Sequence, residues 1–351
     1  MKARLFTVVL VSMIVCFGVA GNRTARVTGN DASSDSTISV IAWFAKGDTM
    51  KYRYVSEEFK IKNDTDTLKN DKEKTEEFML VVTDSTSNGY TIEFIPGKTE
   101  YGGREMSDDV SKNTLKTLTD MFKETRAVFT TNDVGTITGI KNWKEIRDKM
   151  KDGFTLMLDS MYKVNPGLDS VMPRARYETL LKLVYSSEKG IMSAYDEISM
   201  LFGLHGNVFN IGTTKVDDSE KDSTVTTVFA GYEAYDDYSF EDDYTIGGKS
   251  EIRLTRDETV ELVGNVFGML LQDSIADKTR KVLQDSLNAG VTVTQLEDYN
   301  FFYNGWPCAM RTCKIVKFAD IKTVKSKSLV WTYRSWREFD AQATKPEGVS
   351  M

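Results

Sequence analysis

The chain contains one histidine, His205, and three cysteines, Cys16, Cys308 and Cys313, and this scarcity removes several chemistries at once. A His-rich zinc centre and an HExxH protease helix both need a second histidine. A Ser-His-Asp triad would have to use His205, but no G-x-S-x-G elbow is present to hold its serine. Neither a Walker loop nor a GxGxxG turn occurs. His205 stands in Leu204-His205-Gly206 at a helix end and reads as a capping or hydrogen-bonding residue. Carboxylate-only catalysis stays open, because paired acids leave almost no sequence signature. The run Tyr235 to Tyr244 offers clustered oxygens to a hard cation but lacks the D-x-[DN]-x-[DN]-G spacing. It reads as two exposed strand ends around a charged turn. Asn63-Asp64-Thr65-Asp66 misses the EF-hand glycine and final glutamate and reads as a hairpin loop. No residue is therefore assigned a catalytic, cofactor-binding or metal-ligating role. Cys308 and Cys313 are a candidate disulfide if the backbone turns between them, and Pro307 supports a turn near the first. In a straight strand they would point to opposite faces and could not bridge.

The first twenty residues, MKARLFTVVLVSMIVCFGVA, give Lys2 and Arg4 as a positive start, Leu5 to Phe17 as an apolar stretch, and Gly18-Val19-Ala20 as a small-x-small site. This is the pattern of a secretory signal peptide cleaved after Ala20, with an apolar run too short for a bilayer anchor. Lipid anchoring through Cys16 is the weaker reading, since bulky Met13-Ile14-Val15 precede it. Removing the peptide takes away two basic groups and no acid, so 43 basic face 52 acidic residues and the net charge moves from -7 to -9. An acidic balance argues against nucleic acid and against anionic lipid surfaces as partners. At 28% charged and 40% apolar, with a mean hydropathy of -0.35, the composition is that of a soluble globular protein.

The elements follow from periodicity. After a polar leader (21–36) expected to be disordered, Tyr90, Ile92 and Phe94 alternate with polar residues as a half-buried strand. Ile38, Val40, Ala42 and Phe44 share one parity, but Ile41 and Trp43 make the other face apolar too, and Phe78, Leu80 and Val82 are backed by Met79 and Val81. These strands read as covered on both sides. Lys46-Gly47-Asp48, Ser87-Asn88-Gly89 and Pro96-Gly97 read as turns. From about 108 to 205 the period becomes helical, with faces Leu115, Leu118, Phe122; Trp143, Ile146, Met150; Tyr177, Leu180, Leu181, Val184; and Ile191, Tyr195, Ile198, Phe202. A hairpin of 127–131 and 135–140 interrupts it. Strands return at 224–232, 235–246 and 249–255, then a helical pair (Val263, Val266, Phe267, Leu270; Val282, Leu283), then strands at about 291–304, 310–319 and 322–336, with Lys322, Lys325 and Lys327 on a solvated edge. Strands that do not alternate one-for-one with helices argue for an α+β fold with a curved, half-barrel-like antiparallel sheet. The chain reads as one interleaved domain, 37–338, whose helical middle separates N- and C-terminal strand groups, with a flexible tail at 339–351.

Three patterns together resemble uncharacterised Bacteroides-type envelope proteins: Lys46-Gly47-Asp48 leading into Met50-Lys51-Tyr52-Arg53-Tyr54; Thr131-Asn132-Asp133-Val134-Gly135-Thr136-Ile137 followed by Ile140-Lys141-Asn142-Trp143; and Asn304-Gly305-Trp306-Pro307. The resemblance implies an exported protein and transfers no catalytic residue. More remotely, the expected sheet looks like the half-barrels of periplasmic lipoprotein carriers. Asp, then Ser or Thr, then Ala, Ile, Leu, Met, Thr or Val resembles the O-glycosylation acceptor of such proteins and begins at Asp35, Asp48, Asp66, Asp84, Asp159, Asp169, Asp222, Asp273 and Asp285. Loop placement favours Ser36, Thr67, Ser85 and Ser223 as the glycosylated hydroxyls, with helical Ser274 and Ser286 bare. The expectation is a non-catalytic protein of the periplasm or cell surface that binds an apolar or lipid-like ligand in the curved sheet. The rival classes are a carboxylate-dependent hydrolase of envelope glycans and a surface adhesin or assembly subunit.

Overall fold

A computed structural model describes residues 37–62, 66–67, 72–102, 116–117, 119–217, 224–232, 243–286, 290–318 and 321–336. The strands are β1 (Thr37–Ser39), β2 (Thr49–Lys62), β3 (Asp66–Thr67), β4 (Lys72–Thr86), β5 (Gly89–Gly102), β6 (Ala127–Thr131), β7 (Ile137–Ile140), β8 (Val208–Asn210), β9 (Gly212–Asp217), β10 (Thr224–Tyr232), β11 (Tyr244–Leu254), β12 (Val291–Phe301), β13 (Pro307–Phe318) and β14 (Ile321–Ser335). All but β1 and β8, which pair with each other, join one sheet in the order β7-β6-β5-β4-β2-β14-β13-β12-β11-β10-β9, with β3 beside β2. It is antiparallel and not closed into a barrel, and helices are inserted between its strand groups, an α+β arrangement. The join between N- and C-terminal groups is β2 on β14, paired from Thr49 opposite Ser335 to Lys62 opposite Ile321 with one bulge between Trp331 and Tyr333.

Alternation decides which face of the sheet is buried. In β2, Met50, Tyr52 and Tyr54 are buried while Lys51 and Arg53 are exposed. Register carries that face across the sheet: Ala230, Ile246, Tyr299, Met310, Leu329 and Tyr54 are successive partners on six strands, and all are buried. Burying a side chain of this size contributes about 1.5–3 kcal/mol, so one such row outweighs any single surface contact.

The segment from Ile38 to Asp48 straps across one end of this face. Only its first residues form β1; beyond them Val40 N–H donates to Asn207 O (3.0 Å), Ala42 N–H to Val134 O (3.1 Å) and Trp43 N–H to Asn304 O (2.9 Å). The three sequence patterns noted above thus meet at one place. Ile38, Val40, Ala42 and Phe44 face inward, and Phe44 stacks on the fully buried Trp306 at 4.0 Å. Trp43, on the other parity, is 56% exposed. The strap is therefore covered on one side, not two.

The helices that matter below are α1 (Trp143–Val164), α2 (Arg174–Tyr185), α3 (Glu188–Met192), α4 (Asp196–Phe202), α5 (Arg256–Leu270) and α6 (Asp273–Ser286). The series Ile191 to Phe202 is not one helix. The chain breaks after Met192 so that Tyr195 can set its ring edge-on against Phe94 (5.6 Å) and Phe129 (5.3 Å), and α4 then lays Ile198, Leu201 and Phe202 on the sheet. Helix α5 starts with a capping box between Thr255 and Glu258. It packs Val263 and Phe267 with Leu271 and Ala276 in a second, smaller apolar cluster that Val171 and Met172 join. Val282, expected on a buried helix face, is 61% exposed.

Further differences have local causes. Pro96-Gly97 makes no turn; it lies inside β5 at a register shift opposite Glu76 and Phe78, where a prolyl residue lacking an N–H is tolerated. Gly247-Gly248 does not separate two strands either, because β11 runs through it. Lys322, Lys325 and Lys327 are on no edge, since β14 is paired on both sides. Of the helix expected around Leu115 to Phe122, residues 116–117 and 119–122 are described and are helical; Leu115 and Leu118 fall outside the described residues, as do the leader, the tail and 233–242. Asp243, expected in an exposed charged turn, is buried and accepts from Tyr303 N–H at 2.8 Å.

Candidate functional site

An open cleft with an apolar floor lies between α1 and α2. On α1 the stripe Arg147, Lys151, Phe154, Thr155 and Leu158 recurs at steps of four, three, one and three, which is one face of a helix; on α2 the matching stripe is Glu178, Leu181, Lys182, Tyr185 and Ser186. These residues line a cleft of about 420 Å3, within the range of small-ligand sites. Leu158 is buried on its floor, and Phe154, Leu181 and Tyr185 are half-buried around it.

The helices run antiparallel, as two contacts show. The Phe154 and Tyr185 rings are 4.9 Å apart, and further along α1 Asp159 pairs with Arg174 at 2.6 Å. That second end is closed: Arg174 also holds Glu178 (2.8 Å), and Tyr162 OH donates to Met172 O at 2.7 Å. Burial raises the Tyr162 phenol above its usual pKa, so the group is a neutral donor there. At the other end the rim is cationic. Arg147 is paired with Asp148 (2.8 Å), whereas Lys151 and Lys182 are exposed and their ammonium groups have, among the described residues, no ion-pair or hydrogen-bond partner.

A second cluster lies under α4. Lys74 bridges Glu197 (Nζ to Oε1, 3.1 Å) and Glu76, and Lys327 meets Asp196 at 2.6 Å. Burial drives the Glu197 carboxyl above the usual carboxylate range, and the Lys74 ammonium works against that. For Lys74, burial opposes the charge, but Glu197 and Glu76 outweigh it and hold the amine up. Two acids locked by one lysine fasten a helix to a sheet; neither lines the cleft.

The residues singled out in the sequence do not converge on the cleft. Cys308 and Cys313 both lie in β13, five positions apart on a continuous strand and hence on opposite faces; they are not bridged to each other. Cys308 is buried, and burial pushes the half-buried Cys313 thiol up. His205 is buried, its Nε2 3.0 Å from Gly305 O. Ser85 donates from Oγ to Phe44 O at 3.1 Å. Thr67 is described only as backbone, in β3, and Ala20, Ser36 and Ser223 lie outside the described residues. Beneath Ile38 to Phe44, Phe44 packs with Trp306, Phe202 and His205, and Phe301 joins the same cluster. Among the described residues there is no group of three or more His, Cys, Asp or Glu able to hold a metal ion, and no helix long and apolar enough to cross a membrane. Phe154, Leu158 and Tyr185 were not picked out in the sequence; the signal was there in α1, where a second apolar face runs beside Trp143, Ile146 and Met150.

No protein-family model and no curated protein matches the chain. Among solved structures, one described by the lipid–protein interactions in lipovitellin aligns with a TM-score of 0.42 and 10% identity over 85% of this chain, which spans only 26% of that one. The attachment invasion locus protein Ail of Yersinia pestis gives 0.16 at 6% identity, covering 83% of this chain and 100% of Ail. An outer-membrane channel from Pseudomonas putida F1 gives 0.14 at 7%, covering 87% of this chain and 100% of the channel. The similarity is remote in every case, and no family follows from it.

Proposed function

We propose that this is a non-catalytic exported protein of the cell envelope that holds an apolar ligand between α1 and α2. The observation that carries the reading is the cleft itself: about 420 Å3 of space against Phe154, Leu158, Leu181 and Tyr185. Apolar surface left open to water at this scale costs free energy that a ligand recovers. Export rests on the first twenty residues, and the acceptor-like tripeptides at Asp35, Asp84 and elsewhere accord with it.

One measurement tests all three parts: native mass spectrometry of protein purified from its own envelope. The expected mass is that of residues 21–351, raised by sugar, with a dissociable small apolar molecule. Thr155→Trp fills the mouth of the cleft from an exposed position, so that variant should purify empty. A Thr155→Trp protein that still carries the molecule rejects the cleft, and an uncut Met1 or a lipidated Cys16 rejects export of a free chain.

A further inference from the structure

We infer that the ligand of the α1–α2 cleft is a single-chain amphiphile with an anionic head group, the head lying between Lys151 and Lys182. This rests on the reading of the cleft as a ligand site and adds the ligand's charge and shape.

The charge follows from which ions at the rim are already matched. Glu178, the one acid lining the cleft, is held by Arg174, and Arg147 is held by Asp148. Lys151 and Lys182 are left, and no carboxylate among the described residues pairs with either. Their place along the cleft follows from the antiparallel packing. Stepping back eight residues along α1 from Asp159 reaches Lys151; stepping forward eight along α2 from Arg174, its ion-pair partner, reaches Lys182. Both lysines line the cleft away from that closed end, each eight residues, or about 12 Å at 1.5 Å per residue, along its own helix from the Asp159–Arg174 pair. Lys182 lies in the last turn of α2, where a cation also complements the helix dipole. Lys151 is mid-helix and has no such use. Two like charges on the lining of one apolar cleft repel unless an anion joins them.

The shape follows from the cavity. A head group at the lysines leaves Phe154, Leu158 and Leu181 to take the tail, and a chain on the order of ten carbons spans that depth. A space of about 420 Å3 does not admit two acyl chains side by side. Carboxylate and phosphate heads share the chemistry required.

The test uses the purified full-length mature chain and four probes of one tail length below their micellar concentrations: dodecanoate, monododecyl phosphate, dodecanol and dodecyltrimethylammonium. Each competes with a neutral fluorescent apolar probe at low salt. Both anions should bind about tenfold more tightly than dodecanol, with the cation weakest, and the preference should shrink as salt rises. The order of the two anions identifies the head group. Lys151→Gln with Lys182→Gln, both at exposed positions, should abolish the preference for the anions and leave dodecanol within about twofold. If all four probes bind alike, or if the double variant keeps the anion preference, the inference fails while the cleft reading stands. If no probe binds, the cleft reading itself fails.

Discussion

His205 is enclosed by Phe202, Phe301 and Phe44, with ring centroids 5.2, 5.8 and 6.1 Å away. The Gly305 carbonyl 3.0 Å from Nε2 can only accept, so the ring proton is assigned to Nε2 and the imidazole is neutral. Burial lowers its pKa to about 4, and the carbonyl contact only partly offsets this. The sign is that of a base depressed by folding. Below about pH 6.5 the unfolded chain takes up a proton that the native chain refuses, so stability is lost as pH falls from there toward 4. The loss is about 2–3 kcal/mol at pH 4.5, from 1.36 kcal/mol per unit. Glu197, raised by burial, acts with the opposite sign, but it is common to parent and variant and cancels in their difference. His205→Gln keeps a donor and cannot titrate. Urea unfolding at pH 7 and pH 4.5 should show the parent losing more stability than the variant by that amount, and parallel losses would mean the histidine is not buried neutral. The type and helix-end position of this residue were legible in the sequence. Its enclosure was not, because Phe44 and Phe301 reach it from opposite ends of the chain.

The strap from Ile38 to Asp48 shows what local pattern can and cannot carry. Its alternation and its Lys46-Gly47-Asp48 turn were readable, as were the hairpins at Ser87-Asn88-Gly89 and Asn132-Asp133, because turn chemistry is set within a few residues. What the strap lies against was not readable: its hydrogen-bond partners at Val134, Asn207 and Asn304 are set by the fold. The α1–α2 cleft was hidden for the same reason, since each helix had one apolar face identified and the cleft is lined partly by others. Two glycines separate backbone freedom from close approach. Gly47 has φ +98° with nothing within 4 Å of a built Cβ; Gly305 has φ +81°, and its Cβ would lie 2.1 Å from the Ile41 carbonyl oxygen. Gly47→Ala should cost about 1–2 kcal/mol, the left-handed penalty alone. Gly305→Ala adds a backbone collision that only movement of the strap away from Trp306 relieves, and it should cost more than Gly47→Ala by at least 1–2 kcal/mol. Urea midpoints of the two variants decide this, and equal losses would show that the strap yields freely at Ile41.

At the scale of the molecule, the sheet is held together by a strand made near the end of the chain. The sequence reading put the N- and C-terminal strands in one curved sheet, from strand groups that flank a helical middle without alternating one-for-one with helices. The order did not follow, since register between distant strands is fixed by packing and leaves no local trace. In that order five strands (β7, β6, β5, β4, β2) lie on one side of β14 and five (β13, β12, β11, β10, β9) on the other. Opening β14 alone would split the path into two pieces, each with a new long edge. Leu329 and its partners Tyr54 and Met310, all buried, would then lose cover together. The edges differ: β9 is six residues long, is paired among the described residues only to β10, and none of its described side chains belongs to the main core cluster. Amides in β14 and the facing parts of β2 and β13 should therefore exchange only when the whole sheet unfolds, with protection equal to the global stability, while those of β9 exchange through smaller openings. Hydrogen–deuterium exchange across a range of urea concentrations distinguishes the two. Protection in β14 should fall with the same steep denaturant dependence as global unfolding, and that in β9 should be lower and nearly flat until the two converge. If β14 exchanged as readily as β9, the strand could open without parting the halves, and the β2–β14 join would not be what makes the N- and C-terminal groups one cooperative sheet.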